Sequence, residues 1–178
     1  MGIPILTLEG YEADDILGTV AKRSQAAGVE VSVVSGDRDL LQLADAHIKI
    51  RIPKTSRGST EIYDYYPEDV KAQYQVTPAE FIDVKALMGD ASDNIPGVPS
   101  IGEKTATAII AAFGSIENAR AHLDEVKPPR ARKALEEHYD MAQMSKELAA
   151  ICTDCPVEFR YEDARIENLY TPEAFREM

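Results

Sequence analysis

The chain has 178 residues, of which 44% are hydrophobic, and it carries a formal net charge of −12 at pH 7. This length suits one medium-sized domain or two small ones, and the sequence has no apolar run long enough to span a membrane. We also find no secretion signal, so we expect a cytoplasmic protein without a membrane partner. The negative charge argues against a broad surface that coats nucleic acid, but not against a focused site.

The start of the chain predicts a strand, a helix and a second strand. Residues 2–8 are a short apolar run typical of a buried strand, residues 12–27 carry an apolar stripe at helical spacing, and the valine-rich residues 29–34 are the next strand. Such a unit is typical of a parallel sheet with a right-handed crossover. Ligands of parallel sheets gather at the carboxyl ends of the strands.

Acidic residues follow both predicted strands at that edge: Glu12, Asp14, Asp15, Asp37 and Asp39. Five neighbouring carboxylates would repel one another, which is tolerable only with cations between them. An alternative explanation holds for Asp14, Asp15 and Asp39, because acids also favour the first turn of a helix.

The later chain changes from strands to helices. Residues 48–52 alternate apolar with basic, and residues 60–63 can pair back on them as an antiparallel edge hairpin. Helices are predicted at the following places: 67–74, 77–88, 103–113, 115–123 and 130–150, before a last short strand at 157–161. We therefore expect an α/β fold, with a partial parallel sheet core in residues 1–84 and an all-α module in residues 85–178.

The segment 87–108 combines two chemistries. Asp90 and Asp93 lie three residues apart at the end of an apolar helical run, so both carboxylates can point one way. Residues 97–102 then form a glycine-bounded hairpin that opens a helix at Glu103. Glycines let backbone N–H groups approach a phosphate, and a helix start adds partial positive charge. The segment therefore predicts a site for a nucleic-acid phosphodiester.

Other interpretations of these motifs are weaker. Residues 97–102 resemble a nucleotide-binding P-loop, but Glu103 stands where that loop has its lysine. Residues 37–39 resemble the start of an aspartyl-phosphate phosphatase, but Leu41 stands where those enzymes usually have Thr or Val. A Mg²⁺ enzyme acting on small molecules is the third alternative. One basic cluster is more simply a solvated face than a phosphate contact: Lys127, Arg130, Arg132 and Lys133.

Three blocks of the sequence together resemble the 5′-nuclease family, in particular the 5′–3′ exonuclease domain of bacterial DNA polymerase I. The blocks are GYEADD at 10–15, SGDRDLLQL at 35–43, and GDASDNIPGV with IGEKTA at 89–98 and 101–106. The resemblance implies a Rossmann-like or PIN-like core followed by a helix–three-turn–helix (helix–hairpin–helix) module. It also implies hydrolysis of DNA near 5′ ends and flap junctions in replication and repair.

The resemblance further implies roles for individual residues. Two divalent cations, Mg²⁺ or Mn²⁺, would be held by Glu12, Asp14, Asp37, Asp39 and Asp93. Asp15 and Asp90 would be secondary catalytic carboxylates acting through metal-bound water. The hairpin would bind duplex or flap DNA through Gly97, Val98, Ser100, Ile101, Gly102, Lys104 and Thr105. A K⁺ ion in the hairpin, held by backbone carbonyls, is also implied.

The sequence departs from the family at its beginning. Family members start with a strand that bears another metal-binding Asp and with a basic helical arch, whereas this sequence begins after both. We therefore expect a fragment whose hydrolysis is weak or absent, from a parent chain with a polymerase domain. An exposed sheet edge favours self-association. The alternative function is a non-catalytic helix–hairpin–helix module that binds duplex DNA.

Overall fold

One small sheet and seven α-helices make up the described part of the chain, which is residues 3–56 and 58–165 of a computed structural model. The strands are β1 (Val31–Val34), β2 (Ile48–Ser56) and β3 (Ser59–Tyr65). The helices are α1 (Ala13–Ala26), α2 (Pro67–Tyr74), α3 (Pro78–Met88), α4 (Glu103–Phe113), α5 (Ile116–Ala121), α6 (Pro129–Glu137) and α7 (Tyr139–Ala149). Short 3₁₀ turns occupy Asp39–Leu43, Leu123–Glu125 and Tyr161–Ala164.

The sheet has the order β1-β2-β3 and mixes two pairings. β1 runs parallel to β2, with Val31 opposite Ile48, and β2 runs antiparallel to β3, with Ile50 opposite Tyr65. The 39–43 turn connects β1 to β2 and buries its leucines in the core. The structure confirms the mixed α/β fold with a helical C-terminal part, and it confirms the antiparallel hairpin.

The predicted first strand is wrong. Residues 3–8 form no strand, and the Ile5 side chain is 87% exposed. A strand needs a neighbour for its backbone hydrogen bonds, and among the described residues β1 pairs only with β2. Within the described residues, the outer edge of β1 is therefore unpaired, and Val34 is 63% exposed.

Two further predictions in the C-terminal half are wrong. The single helix predicted at 130–150 is broken at His138, which has φ −124° and ψ 30°, because α7 packs along α3 while α6 packs on the 123–125 turn. Residues 157–160 form no strand. The Val157 carbonyl accepts a 2.7 Å hydrogen bond from the Arg23 guanidinium of α1, so a side chain takes the place of a strand partner.

Helix α3 lies at the centre of the helical part and packs against α7, α4 and the 39–43 turn. Its buried Asp83 accepts the N–H of Ile116 at 3.0 Å and pairs with the Lys146 ammonium at 2.8 Å. The expected domain boundary at 84/85 falls inside α3, and the division into two domains stays a prediction. Residues 166–178 of the second expected domain lie outside the described residues. Within the described ranges, no helix is both long and apolar enough to cross a membrane.

Candidate metal centre and phosphate-binding hairpin

The seven acids singled out in the sequence line two adjoining cavities. The first, of about 420 Å³, is lined by six of them: Glu12, Asp14, Asp15, Asp37, Asp39 and Asp93. The second, of about 520 Å³, is lined by Asp90 and again by Asp37 and Asp39. Three separate parts of the sequence therefore meet at one place, the carboxyl end of β1.

The first acidic group is fixed by the start of α1. Asp15 accepts the backbone N–H of Glu12 at 3.1 Å with one oxygen, which closes a capping box. Its other oxygen accepts the N–H of Cys152 at 2.9 Å. Asp15 thus holds both the helix start and the 151–155 loop, whereas Asp14 faces the cavity.

The second group is fixed by a tight turn after β1. The Asp37 carboxylate accepts the N–H of Asp39 at 2.9 Å, and the Ser35 hydroxyl accepts the N–H of Asp37 at 3.1 Å. Such side-chain turns are typical of Asp and Ser. The buried Leu40 and Leu41 that follow anchor the turn in the core, so the carboxylates stand on rigid backbone.

The third group stands on the loop that ends α3. Asp90 and Ile95 exchange two backbone hydrogen bonds of 2.9 and 2.8 Å, which folds the loop back and brings Asp93 toward the 39–43 turn. As a result Asp39, Asp90 and Asp93 each offer a carboxylate oxygen within 4.8 Å of the other two. A cluster of hard oxygen donors at this spacing fits a divalent cation.

Sequence reasoning missed Lys85, which lies within this cluster. Its ammonium is 2.8 Å from Asp39 Oδ1, 2.5 Å from Asp90 Oδ2 and 3.8 Å from Asp93 Oδ2, and its side chain is only 5% exposed. The available signal was a lysine within the otherwise apolar end of α3, because lysines are almost never buried unless they are paired.

The electrostatics of the site are uneven. Burial, together with repulsion from Asp37, Asp39 and Glu12, raises the pKa of Asp14 to about 6. Burial also raises the pKa of Asp39, although the Lys85 ammonium opposes this. The hydrogen bond from Lys85 holds the pKa of Asp90 well below its ordinary value. Within the described residues, no salt bridge reaches Glu12, Asp14 or Asp37, so this side of the cluster carries uncompensated charge and fits a cation.

The hairpin at 97–102 has a buried half that holds its shape. The N–H of Gly97 donates to the Ser145 hydroxyl at 3.1 Å, and the N–H of Val98 donates to the Leu87 carbonyl at 2.8 Å. The side chains of Val98 and Ile101 are buried, and the Ile101 N–H donates to Val98. The N–H groups of Gly97, Val98 and Ile101 are thus already bonded within the chain, and these residues hold the exposed half of the hairpin in place.

The exposed half of the hairpin faces solvent at the start of α4. Among the residues that the structure describes, the N–H groups of Ser100 and Gly102 have no acceptor. Lys104 is exposed in the first turn of α4, where Thr105 is half-buried. Arg130 of α6 donates to the Ser100 hydroxyl at 2.9 Å. Arg130, one member of the basic cluster, therefore lies beside the hairpin and is also exposed, which agrees with the solvated face that the sequence favoured.

Comparison with known families agrees with this geometry. The model described as 5′–3′ exonuclease, N-terminal resolvase-like domain, matches residues 1–75, and the model described as 5′–3′ exonuclease, C-terminal SAM fold, matches residues 76–171. The chain belongs to the 5′–3′ exonuclease family. The resemblance seen in the three sequence blocks is thereby confirmed.

Relatives of this 5′–3′ exonuclease family chain include DNA polymerase I enzymes. That of Bacillus caldotenax is 52% identical over 161 residues, which are 90% of this chain and 18% of the relative. The thermostable DNA polymerase I of Thermus filiformis is 42% identical over 165 residues, which are 93% of this chain and 19% of the relative. The chain thus spans about a fifth of the length of these relatives.

Solved structures of the family have the same fold. The T5 5′-exonuclease with bound divalent zinc ions has a TM-score of 0.72 and 27% identity, covering 84% of this chain and 54% of that one. A T5 flap endonuclease in complex with DNA and metal ions has a TM-score of 0.67 and 26% identity, covering 83% of this chain and 52% of that one. Structural neighbours therefore bind divalent metal ions, and the acidic cluster of this chain is suited to one.

Proposed function

We propose that this chain is the metal-dependent nuclease segment of a DNA polymerase I, which hydrolyses DNA phosphodiesters near 5′ ends and flap junctions in replication and repair. The observation that carries the proposal is the meeting of carboxylates from three separate segments beside a hairpin with free N–H donors. The relatives named DNA polymerase I support it, as do the neighbouring structures that hold metal ions and DNA.

The carboxylates divide into two sets. In our proposal Glu12, Asp14, Asp37, Asp39 and Asp93 hold two cations, while Asp90 supports the Asp39 side and Asp15 fixes the start of α1. Hard oxygen ligands favour Mg²⁺ or Mn²⁺. When bound, two such ions supply an activated water and neutralise charge at the reacting phosphate.

The hairpin holds the substrate by its backbone. The N–H groups of Ser100 and Gly102 donate to a DNA phosphate, and the Lys104 and Arg130 cations stand beside it. Contacts of this kind fix the register of a duplex without reading its sequence. The K⁺ ion implied for the hairpin stays a prediction.

A second candidate function is a non-catalytic module that binds duplex DNA. The observation that favours it is the Lys85 ammonium, which neutralises part of the carboxylate cluster without any metal. In that case the hairpin binds DNA and the acids are structural.

Cleavage of a 5′-labelled flap duplex separates these functions. Because hydrolysis by this chain alone is expected to be weak, we expect slow product release at high protein concentration that requires Mg²⁺ or Mn²⁺, stops with EDTA, and disappears in Asp39→Asn and Asp93→Asn variants. A binding module would bind the duplex equally with and without metal and would show no saturable binding of Mn²⁺. A small-molecule Mg²⁺ enzyme would show no affinity for the duplex at all.

Other sequence-based expectations stay predictions. They are the cytoplasmic location, the weak or absent hydrolysis by this chain alone, the polymerase domain in the parent chain, and self-association through a sheet edge. The open edge of β1 is the surface that self-association would use, and analytical ultracentrifugation over a range of concentrations would test it.

A further inference from the structure

The buried ammonium of Lys85 occupies the middle of a carboxylate cluster. It lies 2.8 Å from Asp39 and 2.5 Å from Asp90, which are distances of charge-assisted hydrogen bonds, and 3.8 Å from Asp93. The same three residues form the group of oxygens that lies within 4.8 Å. The lysine therefore contacts the donors that a divalent ion would need on this side of the site.

The position of this ammonium is well fixed. Lys85 belongs to the buried face of α3, whose neighbours Val84 and Leu87 lie in the core, and its side chain lines the 520 Å³ cavity. Ser92 also holds Asp90, through its backbone N–H at 2.8 Å and through its hydroxyl. Withdrawal of the ammonium from the cluster would leave a charge in a largely buried place, so its contacts are costly to break.

The other acids of the site, which line the 420 Å³ cavity, have no such cation among the described residues. Among the described residues, Glu12, Asp14 and Asp37 form no ion pair with a lysine, arginine or histidine. The two sides of one acidic site therefore differ in charge before any metal arrives. A divalent ion gains the full attraction of unpaired carboxylates on the first side, whereas on the second it meets carboxylates already paired with a positive charge.

We propose that Lys85 competes with one of the two divalent ions, the one held by Asp39 and Asp93 beside Asp90, so that the two metal positions fill in sequence. Glu12, Asp14 and Asp37 take the first ion, and the second ion enters when the ammonium moves off its carboxylates. This inference rests on the proposed metal-dependent function and assigns Lys85 as a positioning residue within it.

The test is a Mn²⁺ titration of the full chain and of a Lys85→Met variant. Binding is measured by isothermal titration calorimetry and by the electron paramagnetic resonance signal of unbound Mn²⁺. For the wild type we expect two binding steps of unequal affinity. In Lys85→Met we expect the weaker step to tighten about tenfold or more, because a positive charge beside the ion is removed, while the tighter step stays within about threefold. Lys71→Met, an exposed change on α2, is the matched control and leaves both steps unchanged.

Thermal unfolding measures how much stability the Lys85→Met variant loses. Without metal, Lys85→Met leaves the partly buried carboxylates of Asp39 and Asp90 unpaired and lowers the melting temperature by about 5–10 °C. Saturating Mn²⁺ then raises the melting temperature of the variant more than that of the wild type. In NMR spectra of the wild type, we expect the Lys85 Nζ resonance to shift during a Mg²⁺ titration, with its midpoint at the second, weaker binding step.

The contrary outcomes are distinct. A weaker step that is unchanged or weakened in Lys85→Met would overturn the inference, and so would an Nζ resonance that does not move up to saturation. Either result would leave the proposed function standing, because wild-type metal binding would persist. Absence of saturable metal binding by the wild type would remove the proposed function and this inference with it.

Discussion

The Ser145 hydroxyl of α7 accepts a 3.1 Å hydrogen bond from the buried N–H of Gly97. Gly97 in turn lies against Gly89, the residue that ends α3 and precedes Asp90. The hairpin and the third acidic group are therefore parts of one packed unit. A disturbance at Gly97 must reach both the exposed half of the hairpin and the third acidic group.

Gly97→Ala is expected to destabilise the chain strongly. Gly97 has φ +65°, and a Cβ there would lie 2.5 Å from the backbone N of Gly89. Backbone strain and overlap together should cost about 2–4 kcal/mol, measured by urea unfolding without metal. We also expect weaker Mn²⁺ binding and weaker duplex binding in the variant.

Gly28→Ala is the matched control for that change. Gly28 has φ +76°, but nothing lies within 4 Å of a Cβ built on it. It therefore measures the cost of the left-handed backbone alone, about 1 kcal/mol, with metal and DNA binding retained. Equal costs at the two glycines would contradict the close packing of Gly97 on Gly89.

Arg130→Ala should weaken duplex binding with little effect on sequence preference. The Arg130 guanidinium lies at the hairpin, on the Ser100 hydroxyl, where a phosphate contact would form. Loss of one such contact lowers the slope of log affinity against log salt by about one. Fluorescence anisotropy of a labelled duplex at several salt concentrations measures this slope.

Arg132→Ala provides the comparison on the same helix. The Arg132 guanidinium lies 3.9 Å from the Asp124 carboxylate and, among the described residues, forms no hydrogen bond or ion pair with the hairpin. We expect its salt slope to equal that of the wild type. If both arginine variants lose the same affinity, α6 contributes only general positive charge and Arg130 has no special position.

The sequence predicted the edge hairpin and most of the helices well, because their signals are local. The capping box at Thr77 and Glu80 and the alternation in 48–52 need no knowledge of the rest of the chain. The strand expected at 2–8 failed for the opposite reason. Apolar residues suit a strand, but only a hydrogen-bonding neighbour makes one, and no local pattern shows whether that neighbour is present.

The candidate site shows the same division between local and long-range information. The seven acids stood out because each group followed a recognisable element. Lys85 did not, and Arg130 stood out only as one of a basic cluster, because their positions depend on contacts across the fold, with Asp39 in one case and with Ser100 in the other. The break at His138 also follows from the different packing partners of α6 and α7, which periodicity does not show.

Asp14→Asn should stabilise the metal-free chain at pH 7.5 and have little effect at pH 4. The pKa of Asp14 is raised from 3.8 to about 6 by burial and by the neighbouring carboxylates. The contribution of the Asp14 carboxyl group to the free energy of unfolding is therefore fully present below the pKa of the unfolded chain. It is lost as the pH rises through the higher pKa of the folded chain. A neutral amide avoids this loss, so the melting temperature of the variant should exceed that of the wild type by a few degrees, about 2–4 °C, at pH 7.5 in EDTA.

Divalent metal should reverse the sign of that difference. With saturating Mn²⁺ at pH 7.5 the wild type gains more stability than Asp14→Asn, because the variant has lost a ligand. Melting temperatures of both proteins between pH 4 and pH 7.5, with EDTA and with Mn²⁺, provide the check. A difference that does not vary with pH in EDTA would contradict the raised pKa of Asp14.

The central claim is that acids from three separate segments form one shared site that holds two divalent ions. Its most direct test compares Mn²⁺ binding by the wild type and by an Asp39→Asn, Asp93→Asn double variant. Binding is measured by the electron paramagnetic resonance signal of unbound Mn²⁺, and circular dichroism verifies that the variant is folded. We predict saturable binding of two ions per wild-type chain, and loss of at least one of them in the folded double variant. Equal Mn²⁺ binding by the two proteins, or no saturable binding by the wild type, would contradict the claim.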